Sequence, residues 1–454
     1  MAEENTAAES RNKANSGYAA YAFEERRHFD SVLAFALGIG TGLLSCGASV
    51  SRVEIAVERI CLASGAKEVN VFALPSMVLC SIKVADGSEV SQMKRNFEVS
   101  NNFLKMEKYN QLSRDLCAHK LTLEEAEREL SSINSSNWYK LPLIVAGGGV
   151  LAGAFSVLFG GTVIDALPAA LIGCLMAYLN ILLSRRDFNA YARTFMLSLV
   201  GGFLCILCSR AFIACGVDCS VSMVTIGTIM VVVPGLLICN AVRDMFSGDI
   251  YSGAFELLNG VLSILAIAAG YGAALFILRD VVMYCPVVLR EGVEYYVYAV
   301  LSCVFGAVGV AVMFNCAFKK ILISLGNIVA AFAIYLIMEK FVGEDFIDNF
   351  VSTVFAACAA EILARIFKAP STIFLVPAII VLVPGGALYY AMNGIVMGDM
   401  VEAVTFGKSG GLTLLGISVG ISVITALFQI IHPVKGKAAI KRFFRHQKIS
   451  TDKQ

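Results

Sequence analysis

The sequence predicts an all-α polytopic membrane protein of ten transmembrane helices, arranged as two inverted five-helix repeats, with a small α/β cytoplasmic domain at the N-terminal end. Three observations carry that prediction: a charge deficit confined to one part of the chain, a run of ten apolar segments beyond residue 140, and one internal repeat. Of the 454 residues, 57% are hydrophobic and 16% charged, and the mean hydropathy is +0.74. A soluble chain carries roughly 25% charged residues. Residues 1–140 hold 34 of the 71 Asp, Glu, Lys and Arg, whereas 141–432, twice as long, hold only 29. The first stretch therefore has the make-up of a soluble domain and the second does not.

Residues 1–25, rich in Ala, Glu, Asn and Ser, read as a disordered tail without a signal peptide. Residues 26–140 read as the cytoplasmic domain. Ser31–Ser51 is uncharged and long enough to span a bilayer. It is interrupted by Gly38, Gly40, Gly42 and Gly47, however, and runs into Arg52, Glu54, Glu58 and Arg59, so it reads as a soluble core helix. Strands are expected at Val69–Leu74 and Met77–Val84 around a Pro75-Ser76 turn, and helices at Ser91–Leu116 and Thr122–Ile133. Thr122 and Glu125 have the spacing of a capping box. Asn134–Asn137 form the linker, and Trp138, Tyr139 and Lys140 mark a membrane interface.

The ten apolar segments lie near 141–159, 166–184, 194–216, 221–242, 254–278, 295–317, 321–338, 347–367, 371–394 and 410–431. Each approaches or exceeds the roughly 20 residues that cross a bilayer core. Arg185, Arg186, Arg193, Arg243, Lys319, Lys320, Arg365, Lys368 and the basic tail at 432–454 all fall on one face, so both termini are expected in the cytoplasm of a cell (inner or plasma) membrane protein. Within the spans, "VVVPGLLICNAVRDMFSGD" (231–249) aligns without gaps to "VLVPGGALYYAMNGIVMGD" (381–399), and "SRAF" (209–212) matches "ARIF" (364–367). The repeats then cover 141–278 and 295–431. An odd number of helices per copy inverts the second relative to the first, the architecture of alternating access.

The repeat also nominates the site. Pro234 and Gly235 recur as Pro384 and Gly385, and a helix-interior proline frees a carbonyl a turn earlier, near Met230 and Ile380. Two kinks at matching depth offer polar backbone to a substrate. Arg210 and Arg365 stand at matching positions and suit carboxylate capture, unless they snorkel to the interface or, for Arg365, pair with Glu361 four residues before it. Glu256 and Glu361 are the candidates for proton coupling. Asp249 and Asp399 end matching segments and suit turns. Cys205 and Cys208 form a CxxC without a second pair, and the four histidines are scattered, so no metal or other cofactor is expected. No GxxxxGK[ST] loop is present for ATP. No basic surface points to nucleic acid.

The stretch 42–66 ("GLLSCGASVSRVEIAVERICLASGA"), "LTLEEAEREL" (121–130) and the Val-Pro-Gly repeat together resemble the threonine/serine exporter family over about 30–432. The resemblance implies a cytoplasmic domain fused to two five-helix modules. In related systems the modules are separate proteins that together export succinate. The expected function is a secondary transporter exporting L-threonine or L-serine, proton-coupled, with a small carboxylate-bearing metabolite and the bilayer as partners. A homo-oligomer is compatible with this. The alternatives are a dicarboxylate exporter and a membrane-anchored enzyme or sensor acting through the N-terminal domain. That domain offers neither a nucleophile elbow nor a phosphate loop, so no enzyme is expected.

Overall fold

The computed structural model describes residues 25–84, 87–96, 101–136, 139–186, 188–246, 248–278 and 293–431. Of the tails expected at 1–25 and 432–454, residues 1–24 and 432–454 lie outside them, as does Trp138, while Glu25 opens a helix. The chain divides into two compact units, one running up to Ser136 and the other beginning at Asn137.

The first unit is built from α1 (Glu25–Ser45), α2 (Val50–Ala63), a three-stranded antiparallel meander and two further helices. The strands are β1 (Glu68–Leu74), β2 (Met77–Lys83) and β3 (Glu89–Arg95). Leu74 pairs with Met77, so Pro75-Ser76 is the two-residue turn. Alternation on β2 buries Val78, Cys80 and Ile82. The helix α1 meets the length and composition of a span, yet it is largely buried by its own unit, with Leu33, Ile39 and Leu43 fully enclosed. β3 corrects the expectation of a helix from Ser91. Its polar residues lack a helical stripe of their own. What decides the backbone is pairing with β2, including a Ser91–Ser81 hydroxyl bond of 2.8 Å. Lys94 and Arg95 then charge an edge strand against further pairing. The helix begins only at α3 (Phe103–Cys117), where Asn102 caps the Lys105 N–H.

The last helix of this unit, α4 (Leu123–Ser135), starts with the expected capping box: Glu125 accepts from the Thr122 N–H at 2.8 Å, and the Thr122 hydroxyl accepts from the Glu125 N–H. These bonds from Thr122 hold the Glu125 carboxyl below its ordinary range.

The second unit is helical: α5 (Leu141–Leu158), α6 (Val163–Ser184), α7 (Ala190–Ala214), α8 (Val221–Ile229), α9 (Gly235–Phe246), α10 (Ile250–Ile277), α11 (Val293–Met313), α12 (Phe318–Phe341), α13 (Asp345–Ile366), α14 (Thr372–Ile379) with a 3-10 turn at Ile380–Leu382, α15 (Gly385–Met397) and α16 (Met400–Ile431). Outward rows such as Leu167, Leu171, Leu175 and Leu182 on α6 present hydrocarbon to the surroundings. Among the described residues, eight helices of this unit are long and apolar enough to cross a membrane, and α14–α15, bent by 43°, is a further broken span. The remaining apolar segment is split into α8 and α9, each too short to cross alone. This is a multi-pass membrane protein.

The halves repeat their packing. α7 packs on α10 as α13 does on α16, and α9 on α10 as α15 does on α16. The match extends to atoms. A Cβ on Gly270 would lie 2.6 Å from the Phe195 carbonyl oxygen and 2.7 Å from Ser198 Cβ; one on Gly420 would lie 3.1 Å from the Phe350 oxygen and 3.0 Å from Thr353 Cβ. Those partners stand at the 155-residue offset of the weak "SRAF"/"ARIF" match, which the packing thereby supports.

Two outcomes follow. Gly270→Val and Gly420→Val each overpack a closed helix contact and should each cost ~1–3 kcal/mol, read as comparable falls in melting temperature of the purified chain in detergent. Because folding lowers the Glu125 pKa, its contribution is present above the unfolded-state value and is lost as pH falls through the folded one. Amide exchange in the first turn of α4 should therefore accelerate below about pH 4, the ordinary carboxylate range, and Glu125→Gln, which cannot titrate, should remove that pH dependence.

Candidate functional site

The two Val-Pro-Gly motifs do more than kink their helices. Proline has no N–H to continue the ladder and forces the preceding residue out of the helical region. Val383 accordingly sits at φ −63°, ψ 130°, and Pro384 at φ −78°, ψ 62°. The helix stops and starts again. At each restart the proline carbonyl accepts the first helical bond, Ile238 N–H to Pro234 O at 3.2 Å and Leu388 N–H to Pro384 O at 3.1 Å. The expectation of a carbonyl freed at Ile380 is not met, because the Val383 N–H takes it at 3.3 Å.

The breaks pack directly on each other. A Cβ on Gly235 would lie 2.7 Å from Val383 Cγ1, and one on Gly385 would collide with Met230 Sδ. Thus Pro234, Gly235, Pro384 and Gly385 form one crossing. The amino-terminal ends of α9 and α15, whose first N–H groups have no intrahelical acceptor, open from it. Two hydroxyl contacts join helices of the core that packs against Val232 and Val233. Ser222 Oγ lies 3.2 Å from Tyr389 Oη, joining α8 to α15, and Thr228 Oγ1 lies 3.2 Å from the fully buried Tyr271 Oη.

The charged candidates separate. Arg365 is exposed, donates to the Glu361 carboxylate at 3.0 Å and stacks over Phe428 at 4.4 Å. Arg210 is half-buried on α7, without a hydrogen bond or ion pair among the described residues. Glu256 on α10 is half-buried, and its Oε2 is enclosed without a hydrogen-bond partner. Beside it lie Arg243 and Asp244, an ion pair at 3.2 Å with side chains 12% and 4% exposed. Sequence reasoning missed this pair because it ended the segment at residue 242; α9 runs on to Phe246. The signal was in the repeat itself, where Arg243-Asp244 aligns with the uncharged Asn393-Gly394.

In the first unit, an open cavity of about 670 Å³ is lined by residues that include Arg27, His28, Glu124 and Glu127. Its lining contains no cysteine, and Ser31 has no hydrogen-bonded base there. No group of metal-ligating side chains occurs among the described residues.

Residues 34–278 match a family model described as "Putative threonine/serine exporter", and 299–427 match a second, "Threonine/Serine exporter, ThrE". The chain belongs to the threonine/serine exporter family. No curated protein and no solved structure matches it. The exporter-family matches divide as the packing does: the first takes in most of the first unit and α5 through α10, and the second runs from within α11 into α16. Each Val-Pro-Gly break thus belongs to one matched region, and the crossing belongs to both.

That crossing is directly testable. On a background freed of native cysteines, Met230→Cys with Gly385→Cys should crosslink under mild oxidation in membranes. Met230→Cys with Gly398→Cys, at the far end of α15, should not.

Proposed function

We propose that this exporter is a secondary transporter that moves L-threonine or L-serine out of the cell by alternating access, driven by the proton gradient. The single observation that carries the reading is the reciprocal packing of the two helix breaks. Five segments per half invert the second half relative to the first, so one crossing at the interface of the halves is reachable from either side as they rock. The opposed amino-terminal ends of α9 and α15 carry the positive ends of their helix dipoles and suit a substrate carboxylate. The hydroxyls of Ser222, Thr228 and Tyr389 suit the hydroxyl that threonine and serine share.

Arg185, Arg186, Lys319, Lys320 and Lys368 support a cytoplasmic location for one face, the N-terminal unit and the basic tail, in a cell membrane protein. Glu256 is favoured over Glu361 as the proton carrier, because Glu361 is engaged by Arg365 while Glu256 keeps an enclosed oxygen unpartnered. Arg210 remains the free guanidinium for carboxylate capture.

Proteoliposomes loaded with threonine, serine or succinate separate the amino-acid reading from the dicarboxylate one. Threonine or serine efflux should accelerate when a proton gradient is imposed, and Glu256→Gln should remove that acceleration while Glu361→Gln keeps it. Pro234→Ala with Pro384→Ala should reduce flux at least ~10-fold, the scale of a misplaced binding geometry. Unchanged flux in that double variant would sink the crossing as the pathway.

A further inference from the structure

Each break is a knob meeting a hole. The knobs come from the helices before the breaks: Met230 follows the last residue of α8, and Val383 follows the 3-10 turn that ends α14. The holes are Gly235 and Gly385, the first residues of α9 and α15. The crossing is therefore set by where α8 and α14 sit. They are only nine and eight residues long, and a helix that short has little stability of its own. Each is tied at its start, away from the knob, by one buried polar side chain. The tie comes from the second helix of its own half, α6 in the first and α12 in the second.

On α6, Asp165 is 2% exposed. Its Oδ2 closes the capping box of that helix, accepting from the Thr162 N–H at 2.6 Å and the Thr162 hydroxyl at 2.8 Å. Its Oδ1 accepts from the N–H of Ser220, the N-cap of α8, at 2.7 Å. The box does not need that second oxygen: the box of α4 takes both of its bonds from Thr122 on Glu125 Oε2 alone. On α12, Asn327 is 5% exposed, and its Nδ2 donates to Ala356 O of α13 at 3.1 Å and to Phe374 O of α14 at 3.3 Å. Its Oδ1 is enclosed without a hydrogen-bond partner among the described residues. A buried acceptor left unpaired costs stability that an apolar side chain of similar size would not. The amide is thus better explained by what it holds than by the core it fills. At the 150-residue offset Asn315 stands opposite Asp165, and Ala177 opposite Asn327. Neither tie is copied by the repeat, yet each half has one.

We propose that Asp165 and Asn327 are positioning residues for transport: they fix the starts of α8 and α14, and so the depth at which Met230 and Val383 enter the crossing. This rests on the crossing as the pathway and deepens that reading. Hydrogen bonds suit the task because they are directional, whereas apolar burial is not. Gly227 sets how closely α8 lies on α5, since a Cβ there would collide with the Ala152 carbonyl oxygen. Close approach still leaves movement along the helix axis open, and the bond at Ser220 removes it. Ser222, two residues further on, then meets Tyr389 Oη of α15 at 3.2 Å. The Asp165 tie therefore also places one of the hydroxyls assigned to the substrate.

The test uses the full chain and two rates: threonine efflux from proteoliposomes, and crosslinking of Met230→Cys with Gly385→Cys in membranes on a background freed of native cysteines. Asn327→Leu should slow both at least ~10-fold, the scale of a misplaced geometry, and leave the melting temperature unchanged or raised. Asp165→Asn, whose one carbonyl oxygen cannot serve both Thr162 and Ser220, should slow both likewise. Thr162→Ala weakens the α6 cap but keeps Asp165 on the Ser220 N–H, so it should lower the melting temperature and leave both rates unchanged. Rates that track melting temperature across the three variants would make both residues merely structural and overturn the proposal. So would either rate unchanged in Asn327→Leu, or an Asn327→Leu chain that fails to fold. Should Asp165→Asn not fold, Ser220→Pro removes the N–H while leaving the α6 capping box in place, and unchanged rates there would overturn the proposal. A parent double-cysteine chain that does not crosslink sinks the crossing itself, and the ties with it. A parent that crosslinks no faster than its variants sinks the ties alone. A wild-type chain that moves no threonine sinks the exporter reading and leaves crosslinking to decide the ties.

Discussion

Everything in the second unit is arranged around two prolines. A spanning backbone in hydrocarbon has no water to satisfy its polar groups, so a helix break is tolerable only where protein covers it. Here each break is covered by the other. Gly235 accepts the side chain of Val383 against its backbone, and Gly385 accepts Met230. The absence of a Cβ at both positions is what lets two interrupted helices approach at their weakest points. The result is a place inside the unit where the starts of two helices, rather than completed ladders, come together.

The repeat supplies the symmetry and then departs from it. The α7–α10 and α13–α16 contacts agree down to a glycine against a phenylalanine carbonyl and a small hydroxyl residue, Ser198 in one half and Thr353 in the other. Packing of that kind is set by backbone approach and tolerates little change. The α9–α10 and α15–α16 hairpins share a geometry but fill their interiors differently, with Arg243, Asp244 and Glu256 in one and the Tyr390–Phe406 stack in the other. The two hairpins thus keep a common frame with unlike contents.

Legibility in the sequence followed the range of the interactions involved. The apolar segments were legible because hydrocarbon imposes composition residue by residue. The α4 start was legible because the Thr122–Glu125 capping box is closed within three residues. The turn at Pro75-Ser76 was legible for the same local reason. β3 was not, since Ser91 through Arg95 become a strand only through hydrogen bonds to β2. The site divided similarly. The prolines announced themselves, whereas Arg243 served only as a marker of the cytoplasmic face and Asp244 received no role, because the end of α9 cannot be placed to within a turn from hydropathy.

By itself, then, the sequence determined that the chain is a multi-pass membrane protein with a polar N-terminal portion, and it marked two matching positions at which apolar segments are interrupted. Those properties depend on composition and spacing, which a linear chain displays directly. The tertiary structure decided that the interruptions are full breaks packed on each other, that Arg365 is occupied by Glu361 while Arg210 stands apart, and that a buried ion pair faces Glu256 in one half only. Each of these depends on which side chains meet across helices distant in the chain, and no periodicity within a single helix encodes that meeting.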